Sequence, residues 1–162
     1  FGRFALGLSP VLPPTVGAVS AFLEAANVQV RGKHAVLVGG GRLVGLPLTI
    51  WLLREKATVT VANEYTKELS RLTRQADIVI SGVGKPKLIT ASMVKKGAVV
   101  IDAGTSVEAG KTKGDVDFES VAKKAGLLTP VPGGVGPLTV ACLFRNLVFL
   151  SQPSLAQSQS AQ

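Results

Sequence analysis

A glycine-rich segment that could hold a phosphate group lies between two apolar segments. Gly39-Gly40-Gly41-Arg42-Leu43-Val44-Gly45 directly follows the short apolar run His34-Ala35-Val36-Leu37-Val38. Where such a segment joins a strand to a helix, backbone N–H groups and the positive end of the helix dipole face a pyrophosphate. The spacing is G-x-G-x-x-x-G, one residue longer than the commoner G-x-G-x-x-G. The segment therefore predicts a dinucleotide-binding loop, and the alternative is a tight strand-to-helix turn without a ligand.

A carboxylate that could bind a ribose follows the next β-branched segment. Residues 57–62 predict a strand, and Asn63 and Glu64 come directly after it. An acid about 20 residues past the glycine motif accepts hydrogen bonds from the adenosine ribose. Glu64 would repel a 2′-phosphate by about 1 kcal/mol per charge pair at about 4 Å in water, and by more where the pair is shielded. Glu64 thus favours NAD over NADP; the alternatives are that it points to solvent, or that Arg42 receives a 2′-phosphate.

Three more Gly- or Pro-containing segments follow predicted strands: Gly82-Val83-Gly84, Gly104-Thr105 and residues 129–137. Ligands of open α/β sheets bind at the carboxyl ends of the strands, so we expect these segments to complete a crevice there. The last segment is so rich in Pro and Gly that it predicts a rigid loop, which a ligand can approach closely, rather than a regular element.

Other reactive side chains are few. His34 is the lone histidine and begins a predicted buried strand, so we do not assign it a catalytic role, and no set of His, Cys or acidic residues has the spacing of metal ligands. Asp102 and Asp115 could orient a ligand, but capping and turn formation explain them equally well. Cys142 is the only cysteine, which excludes an intrachain disulfide and favours core packing in a reducing compartment.

The elements that must position these segments alternate along the chain. Strands are predicted over 34–38, 57–62, 77–80, 98–102 and 127–129, and helices over 16–26, 44–53, 67–75, 91–95, 118–125 and 139–150. Thr15 is expected to cap the first helix. Continuous apolar strands bury both faces of a sheet, and right-handed crossovers between parallel strands place helices on both sides. The fold class is therefore α/β, a doubly wound Rossmann-type parallel sheet with helices on both faces.

Composition limits the possible partners. The 162 residues are 46% hydrophobic, enough for one packed domain, which we place at 16–150, between an interdomain segment and hinge (1–15) and a polar tail (151–162) expected to be disordered. The 18 Lys and Arg outnumber the 10 Asp and Glu, but they are dispersed, so nucleic acid is not an expected partner. The longest apolar stretch, 138–150, is too short to span a bilayer.

The glycine segments match the motifs of a known family. Gly39 to Pro47 resembles the G-x-S-x-x-V-G-x-P cofactor loop of the bifunctional methylenetetrahydrofolate dehydrogenase/methenyltetrahydrofolate cyclohydrolase family. Pro130 to Thr139 resembles its T-P-V-P-G-G-V-G-P-M-T signature. Gly84-Lys85-Pro86, Val100 to Gly104 and Gly114-Asp115-Val116 fall where the family has similar strings. The resemblance covers 1–150 and implies the family's C-terminal NAD(P)-binding domain.

The resemblance also implies roles for particular residues. Gly39, Gly40 and Gly41 would hold the dinucleotide, Glu64 would lie at the adenosine ribose, and Thr105 would line the nicotinamide side; Thr139 is assigned to the cofactor as well. A tetrahydrofolate derivative would be bordered by Pro132, Gly133, Gly134, Val135, Gly136 and Pro137. The family reaction moves a hydride from the methylene bridge of the folate to NADP or NAD and then adds water to give formyltetrahydrofolate.

Departures from the family pattern set further expectations. Gly41 replaces a serine, Glu64 replaces the arginine or serine often used for NADP, and 12–16 is a loose version of the P-C-T-P string. The family's first domain supplies a Tyr-x-x-x-Lys pair, a glutamine and an aspartate, but here Leu69 stands four residues after the only tyrosine, Tyr65. The chain, which begins at Phe1, is therefore expected to be a fragment that has no turnover without its missing N-terminal domain.

The parent enzyme is expected in the cytoplasm, or in an organelle matrix, as a homodimer. The alternative is a stand-alone nucleotide-binding or interaction module without folate chemistry.

Overall fold

A computed structural model of the protein describes residues 1–152, which form seven strands and six helices. The strands are β1 (His34–Val38), β2 (Thr58–Ala62), β3 (Ile78–Ser81), β4 (Val99–Asp102), β5 (Ser106–Glu108), β6 (Lys111–Lys113) and β7 (Leu127–Leu128). The helices are α1 (Gly2–Ala5), α2 (Pro14–Ala25), α3 (Gly45–Arg54), α4 (Leu69–Gln75), α5 (Phe118–Val121) and α6 (Val135–Ser151), with one 3-10 turn at Ala91–Met93.

Five strands form one parallel sheet in the order β2-β1-β3-β4-β7. The chain therefore runs from β1 to β2 on one side, and then returns to place β3 on the other side of β1. This reversal of direction between β1 and β3 is the switch point at which doubly wound sheets open a crevice. The predicted fold class is confirmed.

The core explains why the central strands are apolar along their whole length. In β1, the side chains of Ala35 and Leu37 lie on the face of the sheet that α2 and α3 cover, whereas those of Val36 and Val38 lie in the core on the opposite face. Successive side chains of a strand point to opposite sides, so a sheet covered on both faces needs apolar residues at every position. β2 is an edge strand, and only Ala62 in it is fully buried.

Two helix starts differ from the sequence-based expectation. Pro13 is the N-cap of α2 and no side chain caps the helix, so the role predicted for Thr15 is wrong. Pro14 begins the helix because a missing N–H costs nothing in its first turn. For the same reason α6 accommodates Pro137 in its first turn and begins at Val135, not at Thr139 as predicted. Part of the predicted rigid loop is thus the first turn of a helix.

Other elements are shorter than predicted or were not predicted. α4 begins at Leu69, because Glu68 adopts a left-handed conformation with φ 55°. α5 is a single turn that ends at Val121, and only a 3-10 turn is present at 91–93. The antiparallel hairpin of β5 and β6 and the short helix α1 were not predicted.

The C-terminal part of α6 overlaps the predicted polar tail by one residue, Ser151. Gln152 is the C-cap of the helix, and the remaining residues of that tail, 153–162, lie outside the described residues. Among residues 1–152, no helix is both long and apolar enough to cross a membrane.

Candidate functional site

The glycine-rich segment lies at the carboxyl end of β1, which is an inner strand of the sheet. Gly39 has φ +101°, a conformation that favours glycine, and donates a hydrogen bond from its backbone N–H to the carbonyl oxygen of Ala62 at 2.8 Å. The loop then leads into α3, whose first residue, Gly45, is buried against the backbone of Gly39. The helix N-terminus therefore opens onto the crevice, which is the arrangement that suits a phosphate group.

The loop that follows β3 lies directly beside this one. The Gly82 N–H donates to the carbonyl oxygen of Val38 at 3.0 Å. A Cβ on Gly82 would lie 2.6 Å from Cγ1 of Val44, so the two loops meet where only glycine fits. The sequence had predicted that the strand-end segments lie together, and the structure brings them to one edge.

One cavity, of about 510 Å³, lies on the β2 side of the glycine loop. It is lined by Val38, Gly39, Asn63, Glu64, Thr66, Leu69, Val83, Lys85 and Leu88. We call it the Glu64 cavity. The Asn63 side chain accepts a hydrogen bond from the backbone N–H of Tyr65 at 3.0 Å, and Thr66 Oγ accepts one from the N–H of Asn63, so a turn fixes the backbone on either side of Glu64. The Glu64 side chain itself is exposed.

A second cavity, of about 360 Å³, lies on the β4 side. Its lining includes the backbone turn Gly104-Thr105, Val44 of the glycine loop, Thr112 of the hairpin, Thr139 of α6 and the segment 130–137. We call it the Pro132 cavity. Thr139 donates its hydroxyl to the carbonyl oxygen of Val135 at 2.9 Å, so its side chain is already engaged within the helix. All six residues assigned to the folate, 132–137, line this cavity.

The remaining predicted residues line neither cavity. Gly40, Gly41, Arg42 and Leu43 are exposed on the outer part of the loop, and the Leu43 side chain is 82% accessible. Gly84 stands between Val83 and Lys85, with φ +77°.

Two buried carboxylates were not assigned to the site by sequence reasoning: Asp102, which also lines the Pro132 cavity, and Asp115. Asp102 accepts hydrogen bonds from the backbone N–H groups of Gly104, Asp115 and Val116 at 2.8–3.1 Å. Burial raises the pKa of Asp102, although these three hydrogen bonds oppose the shift. Asp115 is fully buried and binds the loop that follows β3. The string Gly114-Asp115-Val116 was matched to the family, but the hydrogen bonds of Asp115 to residues 30 or more positions away leave no signal in the sequence spacing.

His34 and Cys142 contact other parts of the fold and line neither cavity. His34 begins β1, and its ring nitrogens lie 3.0 Å from Thr60 Oγ1 and 3.4 Å from the carbonyl oxygen of Gln75. Cys142 is buried in the core against α2, as predicted. Within residues 1–152, no three His, Cys, Asp or Glu side chains are grouped so that they could hold a metal ion.

The doubly wound sheet and the glycine loop at its switch point define a Rossmann-type nucleotide-binding domain. The family model described as "Tetrahydrofolate dehydrogenase/cyclohydrolase, NAD(P)-binding domain" matches residues 13–154. The chain belongs to this family and corresponds to its NAD(P)-binding domain, as the sequence resemblance had indicated.

Individual relatives agree with this assignment. The chain is 49% identical to the bifunctional protein FolD 2 of Lactobacillus johnsonii over 93% of its own length and 54% of the relative. It superimposes on the bifunctional FolD of Campylobacter jejuni with a TM-score of 0.88 at 44% identity, over 98% of this chain and 55% of that one. For the Trypanosoma brucei FolD, solved with NADP and an inhibitor, the TM-score is 0.87 at 36% identity, over 95% and 56%. The chain thus spans about half the length of the relatives it matches.

Proposed function

We propose that this chain binds a nicotinamide dinucleotide across the crevice, with the pyrophosphate at the glycine loop, the adenosine ribose in the Glu64 cavity and the nicotinamide toward Thr105. The observation that carries the proposal is the approach of Gly39, Gly45 and Gly82 to neighbouring backbone and side chains. At Gly45 and Gly82 a Cβ would lie under 3.0 Å from a neighbour, so a side chain at either position would distort the floor of the loop. At Gly41, on the outer surface of the loop, no atom lies within 4 Å of the position a Cβ would take, so a ligand can approach the backbone there.

Glu64 makes NAD the preferred dinucleotide in this proposal. A carboxylate accepts hydrogen bonds from both ribose hydroxyls and repels a 2′-phosphate. Lys85 lines the same cavity and Arg42 lies on the exposed loop, so cationic groups within reach would reduce this discrimination. We therefore expect a modest preference for NAD rather than exclusion of NADP.

We further propose that the parent protein oxidises methylenetetrahydrofolate and hydrolyses the product to formyltetrahydrofolate. When bound, the nicotinamide ring supplies the acceptor for a hydride. The chain's own contribution is to hold the reacting groups within about 3–3.5 Å of one another, which converts binding energy into rate. Thr105 and the segment 132–137 line one cavity, so a folate bordered by that segment would lie next to the nicotinamide.

The isolated chain should bind the dinucleotide without turning the substrate over. Its single tyrosine, Tyr65, is 83% accessible at the rim beyond β2, and no lysine follows it at the family's spacing. The Tyr-x-x-x-Lys pair that the resemblance assigns to folate activation therefore has no counterpart in this chain.

The test is calorimetric titration of the chain with NAD and with NADP at matched moderate salt. Glu64→Arg is compared with Glu24→Arg, which makes the same charge change on the exposed surface of α2. We expect wild type and Glu24→Arg to bind NAD more tightly, and Glu64→Arg to bind NADP more tightly. If wild type binds neither dinucleotide at millimolar concentration, the proposed site is wrong; if both variants change alike, only the role of Glu64 is wrong.

A further inference from the structure

Asp115 is fully buried just after the hairpin, yet its carboxylate is bound by a loop far away in the sequence. Oδ2 accepts hydrogen bonds from the Val83 N–H at 2.7 Å and from the Ser81 hydroxyl at 2.8 Å. Oδ1 accepts one from the Lys85 N–H at 2.8 Å. These partners lie 30 to 34 residues from Asp115. An aspartate that only forms a turn bonds to its own next few residues, so turn formation does not account for this arrangement.

The backbone turn that follows β4 leaves room for this carboxylate. A Cβ on Gly104 would lie 2.2 Å from Cγ of Asp115, so the turn that follows β4 can pass it only as glycine. Asp102 then extends the connection, because its Oδ1 accepts from the N–H of Gly104 and from that of Asp115 itself. The N–H of Asp102 donates to Thr129 Oγ1 at 2.8 Å. One hydrogen-bonded network thus joins the ends of β3, β4 and β7, which together frame the crevice.

Every donor to Asp115 is neutral. Within residues 1–152, neither Asp115 nor Asp102 forms an ion pair with a Lys or Arg side chain. A buried carboxylate is stable only when hydrogen bonds replace its lost hydration, so these three donors must stay in place. The same requirement fixes the loop, since Val83 and Lys85 cannot move away without leaving a buried charge unsatisfied.

We propose that Asp115 is a positioning residue for the dinucleotide site: it holds the 82–85 loop in the conformation that forms one wall of the Glu64 cavity. Val83 and Lys85 line that cavity, whereas Asp115 has no exposed surface and cannot touch a ligand. The inference rests on the proposed function, because it concerns the same site.

Asp115→Asn tests the inference with almost no change in volume. An amide presents one acceptor oxygen and two donor hydrogens, so it cannot accept from Val83 and Lys85 on opposite sides at once. We expect NAD to bind at least about tenfold more weakly, since a hydrogen bond to a charged group is worth about a factor of ten in affinity or more. We also expect faster amide hydrogen exchange in the segment 82–88 of the free protein. Ser81→Ala, which keeps both backbone hydrogen bonds, should weaken binding about threefold.

Val121→Ala is the control for general destabilisation. Val121 is the last residue of α5, is buried in the same core as Val36 and Val38, and lines neither cavity. The Val121→Ala substitution should lower the stability of the protein without changing its affinity for NAD or the amide hydrogen exchange at 82–88. If wild type binds NAD but Asp115→Asn binds it equally well, or if exchange at 82–88 is unchanged, the inference is overturned while the proposed function stands. If wild type binds no dinucleotide, both fail. Should Asp115→Asn not fold, an unaltered affinity in Ser81→Ala overturns the inference.

Discussion

Gly45 lies so close to Gly39 that a Cβ on Gly45 would be 1.9 Å from the Gly39 carbonyl oxygen. The last glycine of the G-x-G-x-x-x-G segment is thus the position where α3 packs against the end of β1. Gly41, between them, has nothing within 4 Å of its own Cβ position. The glycines of one motif therefore have different physical roles.

Gly45→Ala should destabilise the protein by about 3 kcal/mol or more, because the nearest atoms are backbone and cannot turn aside as a side chain could. Gly41→Ala should change stability by about 0.5 kcal/mol or less. Urea unfolding of both variants measures the difference. Equal stabilities would mean that the loop shifts freely, and that the close approach does not define it.

Two adjacent leucines of α3 provide a test of the core. Leu52 has no exposed surface and Leu53 is 54% accessible. Leu52→Ala should cost about 2–5 kcal/mol, because it removes buried methyl groups and leaves a cavity, whereas Leu53→Ala should cost well under half as much. Denaturant midpoints at an unchanged m-value report both values. Similar losses would indicate that α3 does not pack against the sheet through Leu52.

The positions of the five strands of the main sheet along the chain could be predicted because each strand has a local signal. Apolar residues at every position of 78–80 and 99–101 can only be buried on both faces, and Gly follows closely after each strand. The carboxyl-edge crevice then follows from topology alone.

The missing elements had weak or conflicting local signals. In the hairpin, Val107 is 74% accessible, and the three-residue strands carry charged residues, so no apolar alternation marks them. The start of α6 was obscured because Gly136 and Pro137 are poor helix residues except in a first turn. The Asp115 contacts depend on the tertiary structure, which no spacing encodes.

Asp77 should stabilise the fold at neutral pH more than in acid. The hydrogen bond from Lys95 Nζ at 2.7 Å, and that from the His34 N–H at 3.1 Å, hold the pKa of Asp77 below its ordinary 3.8. Because the pKa is lowered on folding, the contribution is present above pH 3.8 and is lost as the pH falls through the lowered value.

Asp77→Asn should therefore be less stable than wild type by about 1 kcal/mol at pH 7, and the difference should shrink as the pH falls below 3.8. Urea unfolding at several pH values from 7 to 3 measures it. Lys96→Ala is the matched control, since Lys96 neighbours Lys95 and lies outside this ion pair. A difference that stays constant with pH would show that the carboxylate charge is not what stabilises the contact.

Asp102 should titrate in the opposite direction. Burial raises its pKa above 3.8, the backbone N–H groups of Val116, Asp115 and Gly104 lower it by less, and the charge of Asp115 raises it further. A raised pKa means that the stabilising contribution belongs to the protonated form: it is complete below pH 3.8 and is lost as the pH rises through the raised value.

Carboxyl carbon NMR should give a midpoint above 3.8 for Asp102 and below 3.8 for Asp77. In Asp115→Asn the Asp102 midpoint should fall, because a neighbouring negative charge is gone. A midpoint below 3.8 in the wild type would mean that the three N–H donors outweigh burial, and that the network holds Asp102 ionised with no penalty.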